Sequence, residues 1–432
     1  MAEIHPFPGV RYNQGLVKDL AATICPPYDI ITPQLQQELY HRSPYNFVRL
    51  EFGRESPQDK ATDNRYTRAA ATLKEWLEQG VLTTDKTPAI YLHDHYFSYE
   101  GKEYKRRGII AGVRLEEWDK MIVRPHEGTL AEHKTDRLSL LWALQANTSP
   151  ILALFADEGG EVSSLLAASE LSQPIISLGN GERHNVRAIT KPKVIEKLSS
   201  YFASQPLYIA DGHHRYESAL TYQRERRACS PSPGDETFNL VMVMLVAFSD
   251  PGLIILPPHR LVRGLSRAAL SQLPAGLKPF FEIKELPLKM SGVWQQVDNL
   301  LLGGGADEVK LVVFGATGKS LLLLRLRDPA ATSKLMPYFH SELYKRLNVS
   351  VLDHVILEEL LGVGGGEISI DYTYSREDAV RRVAEQEYQL AFLLSPVKPE
   401  VIKAIADAGD RMPRKSTYFY PKAPAGLVFY RF

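Results

Sequence analysis

Tyr208-Ile209-Ala210-Asp211-Gly212-His213-His214-Arg215-Tyr216-Glu217 puts an acid, a glycine, two imidazoles and a guanidinium directly after an apolar run. Leu207 to Ala210 predict a buried strand, and Tyr216 to Gln223 predict the first turns of a helix. The polar cluster therefore falls at a strand-to-helix junction, where main-chain N–H groups and the positive end of a helix dipole favour an anion. Gly212 permits close approach of a ligand to the backbone, and Arg215 offers a planar fork that suits phosphate oxygens. Asp211 can hold a metal ion or accept a proton. His213 and His214 also suit zinc, but neighbours on one element point apart, and no Cys or His-x-x-Glu-His spacing nearby completes a tetrahedral set. The opposing structural account is a surface turn with Asp211 as a helix cap. Four ligand-type groups in five residues favour phosphate.

Working outward, helix and strand signals alternate without a repeat. Ala61 to Gln79 predict an amphipathic helix ended by Gly80, and Ala89 to Tyr99 with Tyr104 to Arg114 predict a hairpin. Pro192 to Gln205 are expected to be helical, and Phe238 to Phe248 and Leu253 to Leu256 to be buried strands. Ser230 to Gly234 read as a loop. Further on, Val309 to Phe314 and Leu321 to Leu326 predict another hairpin. Ile368 to Tyr372, Arg376 to Glu387, Leu390 to Leu394, Pro399 to Ala408 and Thr417 to Phe419 then alternate strand and helix. The glycines at 303–305 and 362–366 mark possible seams. The expected fold is α+β, mixed sheets with helices. Its expected regions are an N-terminal α+β region at 1–120, a core at 121–265 carrying the polar turn, and a C-terminal α+β region at 266–432. Gly315-Ala316-Thr317-Gly318-Lys319-Ser320 ends like a Walker A loop but has two residues between its glycines where four are required, so it reads as a hairpin turn.

The chain has 432 residues, 44% of them hydrophobic and 24% charged, as in ordinary globular proteins. Lys plus Arg and Asp plus Glu number 51 each, so no overall field draws it to nucleic acid or anionic lipid. Apolar runs such as Leu240 to Phe248 are too short for a membrane span, and the N-terminus lacks a secretory pattern. With only Cys25 and Cys229, a disulfide framework is not expected, and a cytoplasmic setting is.

Other polar groups gather between Arg124 and Arg137. Glu127 and Asp136 are candidate general bases or magnesium ligands, and Lys134 and Arg137 candidates for neutralising phosphate. The opposing account is a solvated cap before an apolar helix at Leu138 to Ala146. Pro257-Pro258-His259-Arg260 follows a buried strand on a stiff loop that can aim a side chain; the opposing account, the commoner one for a lone His-Arg at a strand end, is structural. Arg411 to Lys422 combine four cations with three aromatics, which fits a loop over a small anion, or a plain structural ending, better than a single-stranded nucleic-acid platform.

With these residues assembled, the chain resembles a large, long-uncharacterised bacterial and archaeal family whose hallmark is Ala-Asp-Gly-His-His-Arg-Tyr-Glu-Thr-Ala. Ala210 to Glu217 match, with Ser218 in place of Thr. Cys25-Pro26-Pro27-Tyr28-Asp29, His126-Glu127-Gly128-Thr129, Lys134-Thr135-Asp136-Arg137-Leu138, Pro257 to Arg260 and Pro413 to Lys422 match as well. Asp211 to Arg215 also resemble the phosphate-binding signature of the ParB–sulfiredoxin superfamily, which includes the free-serine kinases. That resemblance implies a ParB/sulfiredoxin-like nucleotide-binding core and a kinase that phosphorylates a small metabolite, with free L-serine a candidate. Magnesium with ATP or ADP would be its cofactor. Catalytic roles would fall to Asp211, Glu127 and Asp136. Phosphate would lie on Gly212, His213, His214, Arg215, Lys134 and Arg137, and the substrate on His126, Thr129, His259, Arg260 and Lys415. His214 stands where such kinases often carry Thr, which leaves the donor open. The competing expectations are a phosphohydrolase using the same cradle and a ParB-like nucleotide switch. A small molecule and a nucleotide are the expected partners, with no membrane and nucleic acid disfavoured.

Overall fold

The computed structural model describes residues 2–168, 173–229, 237–303, 308–363 and 368–432. The expected loop at Ser230 to Gly234, and the glycines at 304–305 and 364–366, lie outside the described residues. The chain forms two compact units: Met1–Pro125 with Thr129–Ile254 and Phe419–Phe432, and His126–Gly128 with Ile255–Tyr418. Both are mixed α+β. None of the described helices is long and apolar enough to cross a membrane.

The first unit is built on a nine-stranded sheet. In chain order its strands are β1 (Ile4–His5), β2 (Ile90–Tyr99), β3 (Lys102–Arg114), β4 (Val123–Arg124), β5 (Ile151–Phe155), β6 (Ile176–Asn180), β7 (Glu182–Ile189), β8 (Leu207–Asp211) and β9 (Leu240–Ala247). Across the sheet they run β4–β8–β5–β9–β3–β2–β7–β6, with β1 beside β3. The β9–β5 and β8–β4 pairs are parallel and the others antiparallel. The expected hairpin is present as β2 and β3, because Glu100 and Gly101 both take positive φ at its tip.

One face of this sheet is apolar. Ile90, Leu92, Ile109, Ile151, Phe155, Leu207 and Ile209 join the helices α3 (Pro192–Phe202) and α4 (His213–Cys229) in one buried cluster through Leu198, Phe202, Tyr216 and Leu220. Burying each such side chain contributes about 1.5–3 kcal/mol. The helix α1 (Arg65–Glu78) starts in a capping box between Asn64 and Thr67. The helix α2 (Ala131–Leu144) begins seven residues before its apolar stretch at Leu138. Its charged first turns stay helical because neighbouring elements supply partners: Glu217 for Lys134, Arg65 for Asp136 and Glu51 for Arg137.

The second unit holds a six-stranded sheet of β10 (His259–Arg263), β11 (Phe281–Pro287), β12 (Lys310–Thr317), β13 (Ser320–Leu326), β14 (Ser369–Thr373) and β15 (Leu390–Leu393). Their order is β11–β13–β12–β15–β10–β14. Thr317 pairs with Ser320, so Gly318 and Lys319 are the tip of a hairpin, as the glycine spacing predicts.

Candidate functional site

The turn after β8 is shaped by two local features. First, the β8–β5 pairing slips between Ile209 and Asp211, so Ile209 faces Ala153 while Asp211 faces Leu152. Such a bulge re-aims a side chain. Without it Asp211 would continue the Leu207 and Ile209 series into the apolar cluster; with it, the carboxylate leaves that face. Second, Gly212 has φ +94°, and a Cβ there would stand 2.9 Å from the Arg215 guanidinium. Only glycine fits. Helix α4 then starts at His213, three residues earlier than its apolar pattern suggested, so both histidines and Arg215 form its first turn.

Asp211 is held by two cations. Its Oδ2 accepts from Arg215 Nη2 at 2.6 Å, and its Oδ1 accepts from Lys422 Nζ. Lys422 also stands 3.4 Å from Asp29 Oδ2, so its ammonium is bracketed by two carboxylates. Arg215 Nη1 donates to Ser149 Oγ at 3.0 Å and to the Pro150 carbonyl at 2.6 Å. Both terminal nitrogens of the expected phosphate fork are therefore engaged within the protein, and Nε is buried without a partner among the described residues.

The network continues inward from Ser149. Its hydroxyl donates to Glu51 Oε1 at 3.0 Å, and Thr148 Oγ1 donates to Glu51 Oε2 at 2.5 Å. Glu51 is wholly buried, and Arg137 stands 3.6 Å from its carboxylate. Arg137 lies over the Tyr28 ring at 3.9 Å and reaches Asp136 Oδ2 at 2.6 Å. Burial raises the Tyr28 phenol to about 12. Asp136 also accepts from Arg65 at 2.5 Å and Tyr66 OH at 2.8 Å, so its carboxylate is enclosed by four donor contacts from three residues. A cavity of about 30 Å³ touches Arg137, Thr148, Ser149 and Arg215; it has room for water and none for a nucleotide.

A second cluster joins α2 to α4. Glu217 Oε2 accepts from Thr129 Oγ1 at 2.7 Å and pairs with Lys134 Nζ at 3.1 Å. His214 Nε2 accepts from the Leu130 N–H at 2.9 Å, and Ser218 Oγ donates to the carbonyls of Lys134 and His214. His213 is buried. Thus Asp211, Arg215, Asp136 and Arg137 share one chain of contacts, and Thr129, Lys134 and His214 share another.

The remaining candidates belong to the second unit. Glu127 Oε1 accepts from the N–H groups of Ser416 and Thr417, at 3.1 and 3.0 Å, and from Thr417 Oγ1 at 2.9 Å. Since the Thr417 proton goes to Glu127, the buried His126 Nε2 donates to Thr417 Oγ1, at 3.0 Å. Lys415 is exposed in that loop with φ +58°. Arg260 is fully buried, giving Nη1 to the Pro258 carbonyl at 2.6 Å and Nη2 to Asp353 at 3.2 Å. His259 Nδ1 accepts from the Leu394 N–H at 3.1 Å, and burial, aided by Arg260, lowers it to about 4.

This last value sets a pH dependence. Unfolded, the ring takes a proton near pH 6.5; folded, it resists until about pH 4, so the unfolded chain binds more protons between those values. Stability should therefore fall with falling pH in that window, by about 1.4 kcal/mol per unit from this group. Denaturant unfolding of His259→Gln should show a shallower slope than the parent. An equal slope would remove His259 as the cause.

Glu51, Asp29, Ser149 and Lys422 do not stand out as site residues in the sequence. Asp29 and Lys422 lie within the family-like motifs, so a signal existed; Glu51 and Ser149 carry none, because burial beside Arg137 and Arg215 is a tertiary fact.

Fold and site together define a class: a mixed α+β protein whose main sheet delivers a carboxylate, held by two cations, to the start of a helix. The model of a family described as protein of unknown function (DUF1015) matches residues 4–353, and the chain belongs to that family. Among solved structures, a free serine kinase in complex with AMP is similar at 15% identity, over 72% of this chain and 86% of the other, with a TM-score of 0.35. A conserved hypothetical protein from Pyrococcus furiosus is similar at 15% identity over 74% and 93%, TM-score 0.35. SbnI with C-terminal truncation from Staphylococcus aureus is similar at 11% over 74% and 86%, TM-score 0.34. At this level they assign neither activity nor ligand to this chain. No curated protein matches it.

Proposed function

We propose that the protein is a nucleotide-dependent phosphotransferase acting on the hydroxyl of a small metabolite, with free L-serine the first acceptor to test and ATP or ADP the donor. The observation that supports this reading is the Asp211–Arg215 turn, which combines a helix start, a close-approach glycine and a carboxylate bound by two cations. The reading takes the first unit as a ParB/sulfiredoxin-like nucleotide-binding core. An α-helix leaves the N–H groups of its first turn without acceptors of its own, and its dipole favours negative charge there. This reading assigns phosphate oxygens to the main chain at Gly212, His213 and His214. Arg215 acts by fixing Asp211, since its fork is engaged.

Of the carboxylates, Asp211 is preferred as base. Glu127 Oε1 already serves three donors, and Asp136 is enclosed. In the transfer the acceptor oxygen bonds to the terminal phosphorus, the bond to the leaving phosphate oxygen breaks, and the hydroxyl proton passes to Asp211. Magnesium would enter with the nucleotide and neutralise phosphate charge, because the neighbouring carboxylates Asp29 and Asp211 are already bridged by the Lys422 ammonium.

The test is to supply the full chain with magnesium, ATP or ADP, and a panel of amino acids and polyols. Nucleotide consumption only with an acceptor, and a phosphorylated product, is the expected result. Consumption without any acceptor would make it a hydrolase, and binding without turnover a nucleotide switch. Failure to bind nucleotide would overturn all three.

A further inference from the structure

The first unit carries a second polar cluster, remote in sequence from the Asp211 turn and unused by the proposed reaction. β7 pairs with β2 so that His184 lies directly opposite His95. Side chains alternate across a strand, so His93 shares His95's face of the sheet and Glu182 shares His184's. Glu182 Oε2 is 2.6 Å from His95 Nε2 and 3.8 Å from His184 Nε2, and the ligand atoms of the three residues lie within 4.8 Å of one another. His93 Nε2 is 3.0 Å from His184 Nδ1.

We propose that His95, Glu182 and His184 form a binding site for one divalent ion of the zinc class. Two imidazoles and a carboxylate are a borderline donor set that fits zinc or cobalt far better than magnesium or calcium. The three rings His93, His95 and His184 are buried, where leucine would pack without polar atoms to satisfy. His93 supplies the outer contact typical of metal sites: accepting from His184 Nδ1–H, it leaves Nε2 of His184 with its lone pair toward the ion. Glu182, 38% exposed, gives the ion an entry path and leaves a fourth position to water.

Arg106 is the opposing group. Its Nη2 stands 3.3 Å from His95 Nδ1, which therefore accepts, so that Nε2–H faces Glu182. For Nε2 to bind metal, the ring proton moves to Nδ1. Arg106 then rests on the carbonyls of Tyr420 and Pro421, which already hold it at 3.3 and 2.8 Å.

Titrating the chelator-treated full chain with cobalt tests the site. One equivalent should be taken up with visible d–d absorption, zinc should displace it, and the melting temperature should rise because only the folded sheet assembles the ligands. Glu182→Gln and His184→Ala should each weaken uptake by at least about tenfold. Glu182 is half-exposed, so its variant should remain folded and decide the matter if His184→Ala does not. No saturable uptake by the folded parent, or uptake undiminished in Glu182→Gln, would overturn the proposal.

Discussion

Asp211→Asn is expected to lower phosphate transfer by about a hundredfold or more, the range for losing a positioned general base, with little change in nucleotide affinity. The bulge at Ile209 and Asp211 directs this side chain away from the apolar face, and Gly212 brings the helix start beside it. Asn preserves the size of the group and one acceptor for Arg215 or Lys422, so the turn should keep its shape. It cannot take the acceptor's proton. Single-turnover kinetics and nucleotide titration on the same preparation separate the two effects. Equal losses of binding and turnover would return Asp211 to a structural role.

The second large effect is on stability. Arg215→Ala should reduce the free energy of unfolding by about 1–3 kcal/mol, the range for leaving a largely buried hydrogen-bonding group without its partner. The guanidinium ties Asp211 to Ser149 and the Pro150 carbonyl, and through Ser149 to the buried Glu51. Its loss takes a donor from Ser149 Oγ and the Pro150 carbonyl and leaves Asp211 with one cation fewer. Arg215→Lys should not restore the value, because a single ammonium cannot reach three partners lying in different directions. Denaturant unfolding measures both. A loss below about 1 kcal/mol would mean that the pairings carry little energy and that the fork is available to a ligand.

The sequence made the strand-to-helix turn legible because Leu207 to Ala210 are uniformly apolar and Asp211 to Arg215 are not. The hairpin tip at Gly318-Lys319 was equally plain, since a Walker loop fails on spacing alone. What escaped was whatever depends on a distant partner. Nothing local distinguishes Glu51 from a surface acid, and its burial follows from Arg137, Thr148 and Ser149 arriving from elsewhere. The bulge is equally invisible, because it records how β8 meets β5. Lys134, Asp136 and Arg137 look like a solvated approach to a helix, yet they are its first turns, satisfied by Glu217, Arg65 and Glu51. The His93/His95 and Glu182/His184 spacings did carry a signal: two ligand-type residues at alternate positions of a strand share a face.

Lys422 belongs to the first unit, although all of Ile255–Tyr418 separates its segment from Ile254. During synthesis, a nascent chain that has emerged only as far as Ile254 contains Asp211 and Asp29 but not the ammonium that bridges them. A polypeptide cut after Ile254 would stay in that state permanently. Maturation of this corner therefore waits until translation has passed Lys422, and a probe for the closed carboxylate pair would report that moment.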